Sequence, residues 1–481
     1  MNLLSHIFSR KIFLFFACLV SFIVNNGIAM AQASRPNIFL FITDDESWFE
    51  RSIYGESKLP TPNFDRVARN GALFLNAYSS APSCAPARAA LLSGRNFWEL
   101  KQGAFIHAWF PREFPILTEL LKDAGYRVGS TGKTWGPGVH PKGAHPADLG
   151  AKVYNEAKLD ATQRIPHISV LDYGANFGNF LKSVESEQPF FFWYGVFEPH
   201  APFDPDNWKR LESEHGIGLA DILIPPITKD TEATRKNRAN MGYEICYADQ
   251  RLGEALALLE KKGQLNNTIV IVTADNGTSV GRNKGKTSPY DSGTHVPLAI
   301  MWPAGMPGGR TVSDFVNFSD FAPTVLQACK VPVPPSMSGN SFLNVLKSDA
   351  SGRVDKKRDF AVTGLEWHGD VDPASKSFRA ITTDTYAYIV NYSNDRPVEP
   401  YTDPAAEIAS EELYDMGNDR WQEKNLIGNT AHEKTRQELK NKLTNYALKT
   451  GDPRFTGDMS TFRETRKYVQ ERKKNGYKNT N

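Results

Sequence analysis

Three continuous apolar runs in this chain each end in a polar cluster, and that pairing narrows the possible folds more than any other feature. Asn37 to Thr43 runs into Asp44-Asp45, Pro189 to Phe197 into Glu198-Pro199-His200, and Thr268 to Thr273 into Ala274-Asp275-Asn276-Gly277. Strands buried on both faces of a parallel sheet read as unbroken apolar runs. Helical patterns lie between them. Thr61-Pro62 opens a helix in which Phe64, Val67 and Ala68 share a face, with Gly71 as its stop. Glu232 to Lys262 carries Met241, Ile245, Ala248, Leu252, Leu256 and Leu259 at steps of three and four, closed by Gly263. Buried strands alternating with helices predict an α/β fold. In open sheets of that kind, ligands bind at the C-terminal strand ends, where the polar clusters lie.

The first residues read as a leader. Arg10 and Lys11 precede the apolar stretch Ile12 to Val24, and small residues follow at Ala29, Ala31 and Ala33. Residues 1–33 are therefore expected to be a secretory signal peptide. The stretch falls short of the ~20 apolar residues of a spanning helix, so stable membrane insertion is not expected; retention as an N-terminal anchor is the alternative. The protein is expected to be exported, either periplasmic or secreted. Cys18 lies inside the leader among apolar residues and marks no lipoprotein site. The remaining chain exceeds one ordinary core of ~150 residues. The polar stretch Ser348 to Arg358 marks a boundary, giving a large domain over 34–352, a smaller one over 353–462 and a basic tail over 463–481. In the smaller part Ser377 to Tyr392 alternates as antiparallel strands do, and Ala431 to Leu448 is helical, with Leu439, Leu443 and Tyr446 on one face. The tail holds Arg463, Arg466, Lys467, Arg472, Lys473, Lys474 and Lys478 and reads as a solvated or frayed end. Beyond the leader only Cys84, Cys246 and Cys329 remain, too few for a disulfide scaffold; pairing of Cys246 with Cys329 stays open. A net charge of +2 argues neither way on nucleic acid, and no such partner is expected.

The densest motif is Cys84-Ala85-Pro86-Ala87-Arg88-Ala89-Ala90-Leu91-Leu92-Ser93-Gly94-Arg95. It resembles the Cys-x-Pro-Ser/Ala-Arg signature of the type I, formylglycine-dependent sulfatases. The resemblance extends from Arg35-Pro36-Asn37 to about Asn429. It implies an alkaline-phosphatase-like mixed sheet flanked by helices, with a smaller C-terminal α+β domain built on an antiparallel sheet. It also implies a hydrolase of sulfuric esters or sulfamates. In that family a formylglycine-generating or equivalent maturation enzyme oxidises the cysteine, and the hydrated aldehyde attacks the sulfur. Asp44, Asp45, Asp275 and Asn276 match the family's metal ligands, joined by the modified Cys84. These are hard oxygen ligands suited to Ca²⁺, with Mg²⁺ the less favoured ion. Alone, Asp-Asp or Asp-Asn-Gly would be an ordinary turn; here each ends a predicted strand and accompanies the cysteine motif. Arg88 lies one helical turn after Cys84, on a helix whose N-terminus favours an anion. Lys133 in Gly132-Lys133 matches a lysine that contacts sulfate. Lys286, before Thr287-Ser288-Pro289-Tyr290, matches another basic position, and His200 matches the acid for the leaving oxygen or nitrogen. Three aspartates, one divalent cation and three bases sum to a charge that suits a sulfate ester.

One position departs from the pattern. Many sulfatases read Gly-Lys-x-His where this chain has Gly132-Lys133-Thr134-Trp135, and His140 is out of register. Another base, a different step or lost activity is implied; alternatively Trp135 stacks on a sugar. Ser83 to Arg88, Phe197 to His200 and Asn317 to Thr324 look most like the N-sulfoglucosamine sulfohydrolase branch, whereas Glu412-Leu413-Tyr414-Asp415 is common to many sulfatases. The expected substrate is N-sulfoglucosamine or another sulfated sugar, with a 6-O-sulfated or marine polysaccharide as the alternative. Glu366, His368, Arg379 and Arg396 are substrate-facing candidates, since arginine recognises sulfate by paired hydrogen bonds. Two rivals remain. A phosphoester hydrolase of the same superfamily would usually carry Ser or Thr as nucleophile. A non-catalytic sulfoglycan-binding protein would need the basic pocket but no aldehyde.

Overall fold

In the computed structural model, residues 35–278, 284–368, 377–392 and 408–476 are described. The leader and Arg396 lie outside them. The spine is an eight-stranded sheet in the order β4-β3-β5-β1-β6-β7-β2-β8. Its strands are β1 (Asn37–Thr43), β2 (Ala72–Tyr78), β3 (Arg127–Gly132), β4 (Lys152–Val153), β5 (Phe190–Gly195), β6 (Thr268–Ala274), β7 (Leu298–Met301) and β8 (Arg310–Asn317). Only β7 runs antiparallel to its neighbours, β6 and β2. All three apolar runs predicted as strands are central: β1 pairs in parallel with β5, Ile38 beside Phe191, and with β6, Ile38 beside Ile269.

The unbroken apolar sequence has a direct cause. Side chains alternate across a strand, and here both faces are covered. Ile38, Leu40, Phe191, Trp193 and Ile271 enter one core with the helices Cys84–Ser93 and Phe321–Ala328. Phe39, Phe41, Phe192, Val270 and Val272 enter another with the helices Pro62–Arg69, Tyr173–Lys182 and the C-terminal half of Glu232–Lys261. Because β1, β3, β5 and β6 run parallel, their C-terminal ends share one edge.

A second, four-stranded antiparallel sheet has the order β12-β11-β10-β9, from β9 (Phe360–Leu365), β10 (Ser377–Thr383), β11 (Tyr386–Tyr392) and β12 (Ile408–Asp415). The helix Glu433–Lys449 buries Leu439 and Leu443, and its Tyr446 hydroxyl donates to Asn96 Oδ1 at 3.0 Å. The reading of the basic segment as a frayed tail is corrected. Ser460–Lys474 is a helix that buries Phe462, Thr465, Val469 and Arg472. Arg472 donates to the His107 carbonyl at 2.7 Å. Cys246 and Cys329 are buried in different core clusters. Among the described residues, no helix is long and apolar enough to cross a membrane.

Candidate active site

Where β1 ends, Asp44 and Asp45 turn out of the sheet edge, both buried. Asp45 has φ +68°, a left-handed conformation that Asp adopts more readily than most residues. Its amide donates to Asp275 Oδ1 at 3.1 Å, tying β1 to the end of β6. The next acid, Glu46, does not join them: it accepts from Thr43 Oγ1 at 2.7 Å and pairs with buried Arg51 at 2.5 Å. Asn276 donates to Asp45 Oδ1 at 2.8 Å, while its own Oδ1 is buried with no hydrogen-bond partner.

The helix Cys84–Ser93 begins at the same edge. Cys84 Sγ lies 3.5 Å from Asp44 Oδ1 and 3.2 Å from Lys286 Nζ. Burial pushes the Cys84 thiol up to about 12, so an unconverted cysteine keeps its proton at neutral pH. Arg88 organises its surroundings through two of its nitrogens, while its other terminal nitrogen is buried with no hydrogen-bond partner, 3.8 Å from Asp44 Oδ1. Its Nε donates to Asp275 at 2.8 Å, and one terminal nitrogen donates to the carbonyls of Lys133 and Thr134 at 2.9 Å each.

Lys133 reaches Asp44 because β3 and β5 close tightly just before it. Gly132 has φ +71°, and a Cβ there would sit 1.9 Å from the Gly195 carbonyl oxygen, so only glycine fits. Lys133 Nζ pairs with Asp44 Oδ2, and Lys286 Nζ pairs with Asp45 at 2.6 and 2.9 Å. Burial pulls both ammonium groups down, but the surrounding acidic groups, Asp44 foremost for Lys133 and Asp45 foremost for Lys286, together outweigh it and hold them above the ordinary lysine value. Burial likewise pushes Asp44 up, and Lys133, Arg88 and Lys286 together outweigh it, leaving the carboxyl below its usual value. Each carboxylate of the cluster is thus matched by one base. His200 is exposed at the rim, its Nδ1 2.6 Å from the Ala201 carbonyl and its Nε2 3.7 Å from Asp45 Oδ2. Ligand atoms of Asp44, Asp45, Cys84 and His200 all lie within 4.8 Å of one another.

Other candidates fall elsewhere. Trp135 is 7% exposed, packs near Phe110 and His140, and donates from Nε1 to the Ala85 carbonyl at 3.0 Å. Its ring packs in the core and also borders the cavity lined by Asp44, Lys133 and His200. His140 Nδ1 contacts the His145 carbonyl at 2.9 Å and does not replace the missing histidine. Glu366 and Arg379 are also corrected: both are buried in an ion-pair network with Asp452 and Arg454, and neither is presented to a ligand. His368 does reach the site margin, its Nδ1 2.8 Å from Ser83 Oγ, beside Cys84. Burial, then Lys286, holds its imidazole well below the usual histidine value. Sequence reasoning missed Glu244, which lines a cavity of about 710 Å³ with Asp44, Lys133, Phe197, Glu198 and His200. A signal existed: Glu244 sits three residues after Met241 and beside Ile245, on the apolar stripe of its helix.

With this geometry in place, comparison with known proteins is informative. The "Sulfatase" family profile matches residues 36–331, and the profile "N-sulphoglucosamine sulphohydrolase, C-terminal" matches residues 285–449. An ulvan-active sulfatase of Formosa agariphila is 27% identical, covering 88% of this chain and 82% of that one. Human N-sulphoglucosamine sulphohydrolase is 29% identical over 66% of this chain and 67% of its own length. A solved structure in complex with its substrate D-glucosamine-2-N,6-O-disulfate superposes with TM-score 0.69 at 21% identity, covering 89% of this chain and all of that one. That likeness carries the alkaline-phosphatase-like fold.

Proposed function

The chain belongs to the sulfatase family of sulfate ester and sulfamate hydrolases, and from that premise we propose that it releases sulfate from a sulfated sugar at a site centred on Cys84. The observation that carries this is the meeting of Cys84 Sγ, Lys286 and Asp44 at one sheet edge, with Lys133, Asp45 and His200 around them. Similarity to N-sulphoglucosamine sulphohydrolase and to an ulvan-active sulfatase supports a sulfated amino sugar or a sulfated polysaccharide as substrate.

Asp44, Asp45, Asp275 and Asn276 fit a hard divalent cation. The donors are all oxygen, and the buried Asn276 Oδ1 otherwise lacks a partner. Bound there, calcium (or less favourably magnesium) would neutralise charge at the reacting centre. Oxidation of Cys84 to formylglycine by a maturation enzyme would supply an aldehyde hydrate as the attacking oxygen. The other roles fall to the chain's own side chains. Lys133 and Lys286 bind sulfate oxygens and favour the charge that grows on them. Arg88 fixes Asp275 and the Lys133 backbone through two nitrogens and keeps its other terminal nitrogen for a sulfate oxygen, so it both positions and binds. His200, with Nδ1 bonded to a carbonyl, directs Nε2 to the rim, where it protonates the leaving oxygen or nitrogen. Overall one water is consumed for each sulfate released. The proposal includes export behind residues 1–33, and a smaller C-terminal domain built on β9 to β12.

The test is the mass of the peptide spanning Cys84 from the native host, together with sulfate release by Cys84→Ala. A formylglycine mass and a variant with at least ~1,000-fold less activity are expected. An unmodified cysteine in active protein, or full activity in the variant, refutes the assignment.

A further inference from the structure

The helix Ser460–Lys474 carries Arg463, Arg466, Lys467, Arg472, Lys473 and Lys474 against Glu464 and Glu471. Phe462, Thr465, Val469 and Arg472 form its buried face. At about 100° per residue, the other five bases and Gln470 fall on one flank about 120° wide, with both acids on the next. Helix stability accounts for only part of this pattern. Lys473 and Lys474 lie in the last turn, where cations suit the helix dipole. Arg463, Arg466 and Lys467 lie in the first half, and the first turn holds no acid, although the dipole favours anions there. Arg463 also has Arg466 and Lys467 three and four residues on, a spacing at which like charges destabilise a helix. Asp458, just before the helix, interacts with Arg463 and offsets part of that charge.

The basic flank starts beside the site. The Arg466 guanidinium lies 5.6 Å from the centre of the Trp367 ring, Trp367 precedes His368, and His368 bonds Ser83, the neighbour of Cys84. The far side of the helix is taken up by packing: Tyr468 meets Trp109 with ring centres 5.1 Å apart, and Arg472 holds the His107 carbonyl. Lys467 and Lys474 are exposed, and Arg463, Arg466 and Lys473 are half-buried. From Arg463 to Lys474 the flank runs about 16 Å.

We infer that this flank binds a sulfated polysaccharide: while one sugar of the chain occupies the site at Cys84, anionic groups further along the same chain lie on Arg463, Arg466, Lys467, Lys473 and Lys474. This rests on the sulfatase reading of the site and adds a polymeric substrate class to it. A sulfated chain matches both places, because its repeating anions suit the flank and its sulfate suits the site; a nucleic acid matches the flank alone. Joining the two contacts through one chain makes the second intramolecular, so affinity rises with chain length.

The experiment measures binding of a heparin disaccharide and a heparin octasaccharide to Cys84→Ala, in which the sugars are not consumed. The octasaccharide is expected to bind at least about tenfold more tightly at about 50 mM salt, and the gain should shrink severalfold at about 200 mM. The triple variant Lys467→Gln, Lys473→Gln, Lys474→Gln keeps good helix formers on the flank. It should reduce the gain with length to within about threefold. No gain with length, a gain indifferent to salt, or an unchanged gain in the folded triple variant overturns the inference. A DNA duplex of equal charge bound as tightly as the octasaccharide would show a surface for any polyanion and overturn the assignment to a glycan. Loss of octasaccharide binding in the triple variant, with no binding of the disaccharide and no sulfate release by the mature protein, would instead refute the sulfatase reading and leave the glycan surface standing.

Discussion

The indole of Trp135 holds the first turn of the helix Cys84–Ser93 in place: Nε1 donates to Ala85, one residue past Cys84, while the ring packs near Phe110. A shift of that turn would move Sγ relative to Lys286, which lies only 3.2 Å away. Trp135→His therefore removes buried apolar volume and a hydrogen bond together. Unfolding free energy should drop by roughly 2–4 kcal/mol, somewhat less than for truncation to alanine, as read from the denaturant midpoint. Catalysis should not improve, because the residue's place is in the core; a faster, equally stable variant would show that the position accepts a catalytic histidine. At this scale the sequence was only partly legible. Asp44, Asp45 and Asp275 stood out because each follows an apolar run. Lys133, His200 and Lys286 have no local signature and were found only by family pattern. The inward turn of Glu46 onto Arg51 and the burial of Glu366 and Arg379 depend on partners far along the chain, which no local pattern encodes.

Buried charge also holds together the elements of the second sheet. Arg379, on β10, pairs with Asp452 at 2.5 Å and with Glu366, just past β9, at 2.7 Å; Arg454 closes the group on Glu366 at 2.7 Å. All four side chains are almost fully buried, so removing one leaves a charge without its partner. Arg379→Met strands Asp452 and should cost roughly 3–5 kcal/mol in chemical denaturation, while activity per folded molecule changes little. The network also sets an acid dependence. Burial pushes the Glu366 carboxyl up, but Arg454 and Arg379 outweigh it and hold it below its ordinary 4.5. Its contribution is complete above that value and is lost as pH falls through the depressed folded value. Glu366→Gln should thus flatten the acid limb of a melting curve series between about pH 2 and pH 5. An unchanged limb would mean that other carboxyls govern acid unfolding. Elements were legible where their pattern was strong: β1, β5 and β6 as unbroken runs, β10 and β11 by alternation. β7 has only four residues, and β2 exposes Leu75, so neither offered a clear period. The terminal helix was hidden because half of its buried stripe is Thr465 and Arg472 rather than apolar residues.

At the scale of the whole molecule, the site is a product of sheet assembly, since its residues come from the ends of β1, β3, β5 and β6, from the start of the helix Cys84–Ser93 and from loops reaching Lys286 and His368. None of it exists in the unfolded chain, so a ligand of the site stabilises the fold by mass action. The charges make a further demand. Lys133 pairs with Asp44, Lys286 with Asp45 and Arg88 with Asp275, so bases and carboxylates cancel. A divalent cation taken up by the carboxylates would leave an excess of two positive charges, and an anion would restore the balance. It would also compete with the lysines for Asp44 and Asp45, releasing them to hold sulfate oxygens. Calcium and inorganic sulfate should therefore bind with positive coupling, and the factor must be the same whichever is added first. Calcium at 100 times its Kd would raise stability by about 2.7 kcal/mol, and sulfate should add more to the melting temperature in calcium than in chelator. Asp45→Asn, which removes one carboxylate charge from the cation site, should weaken both the calcium effect and the coupling. If the calcium and sulfate increments simply add in the unsubstituted protein, the two ions do not share this cluster. The matching of three carboxylates by three bases would then serve the fold alone.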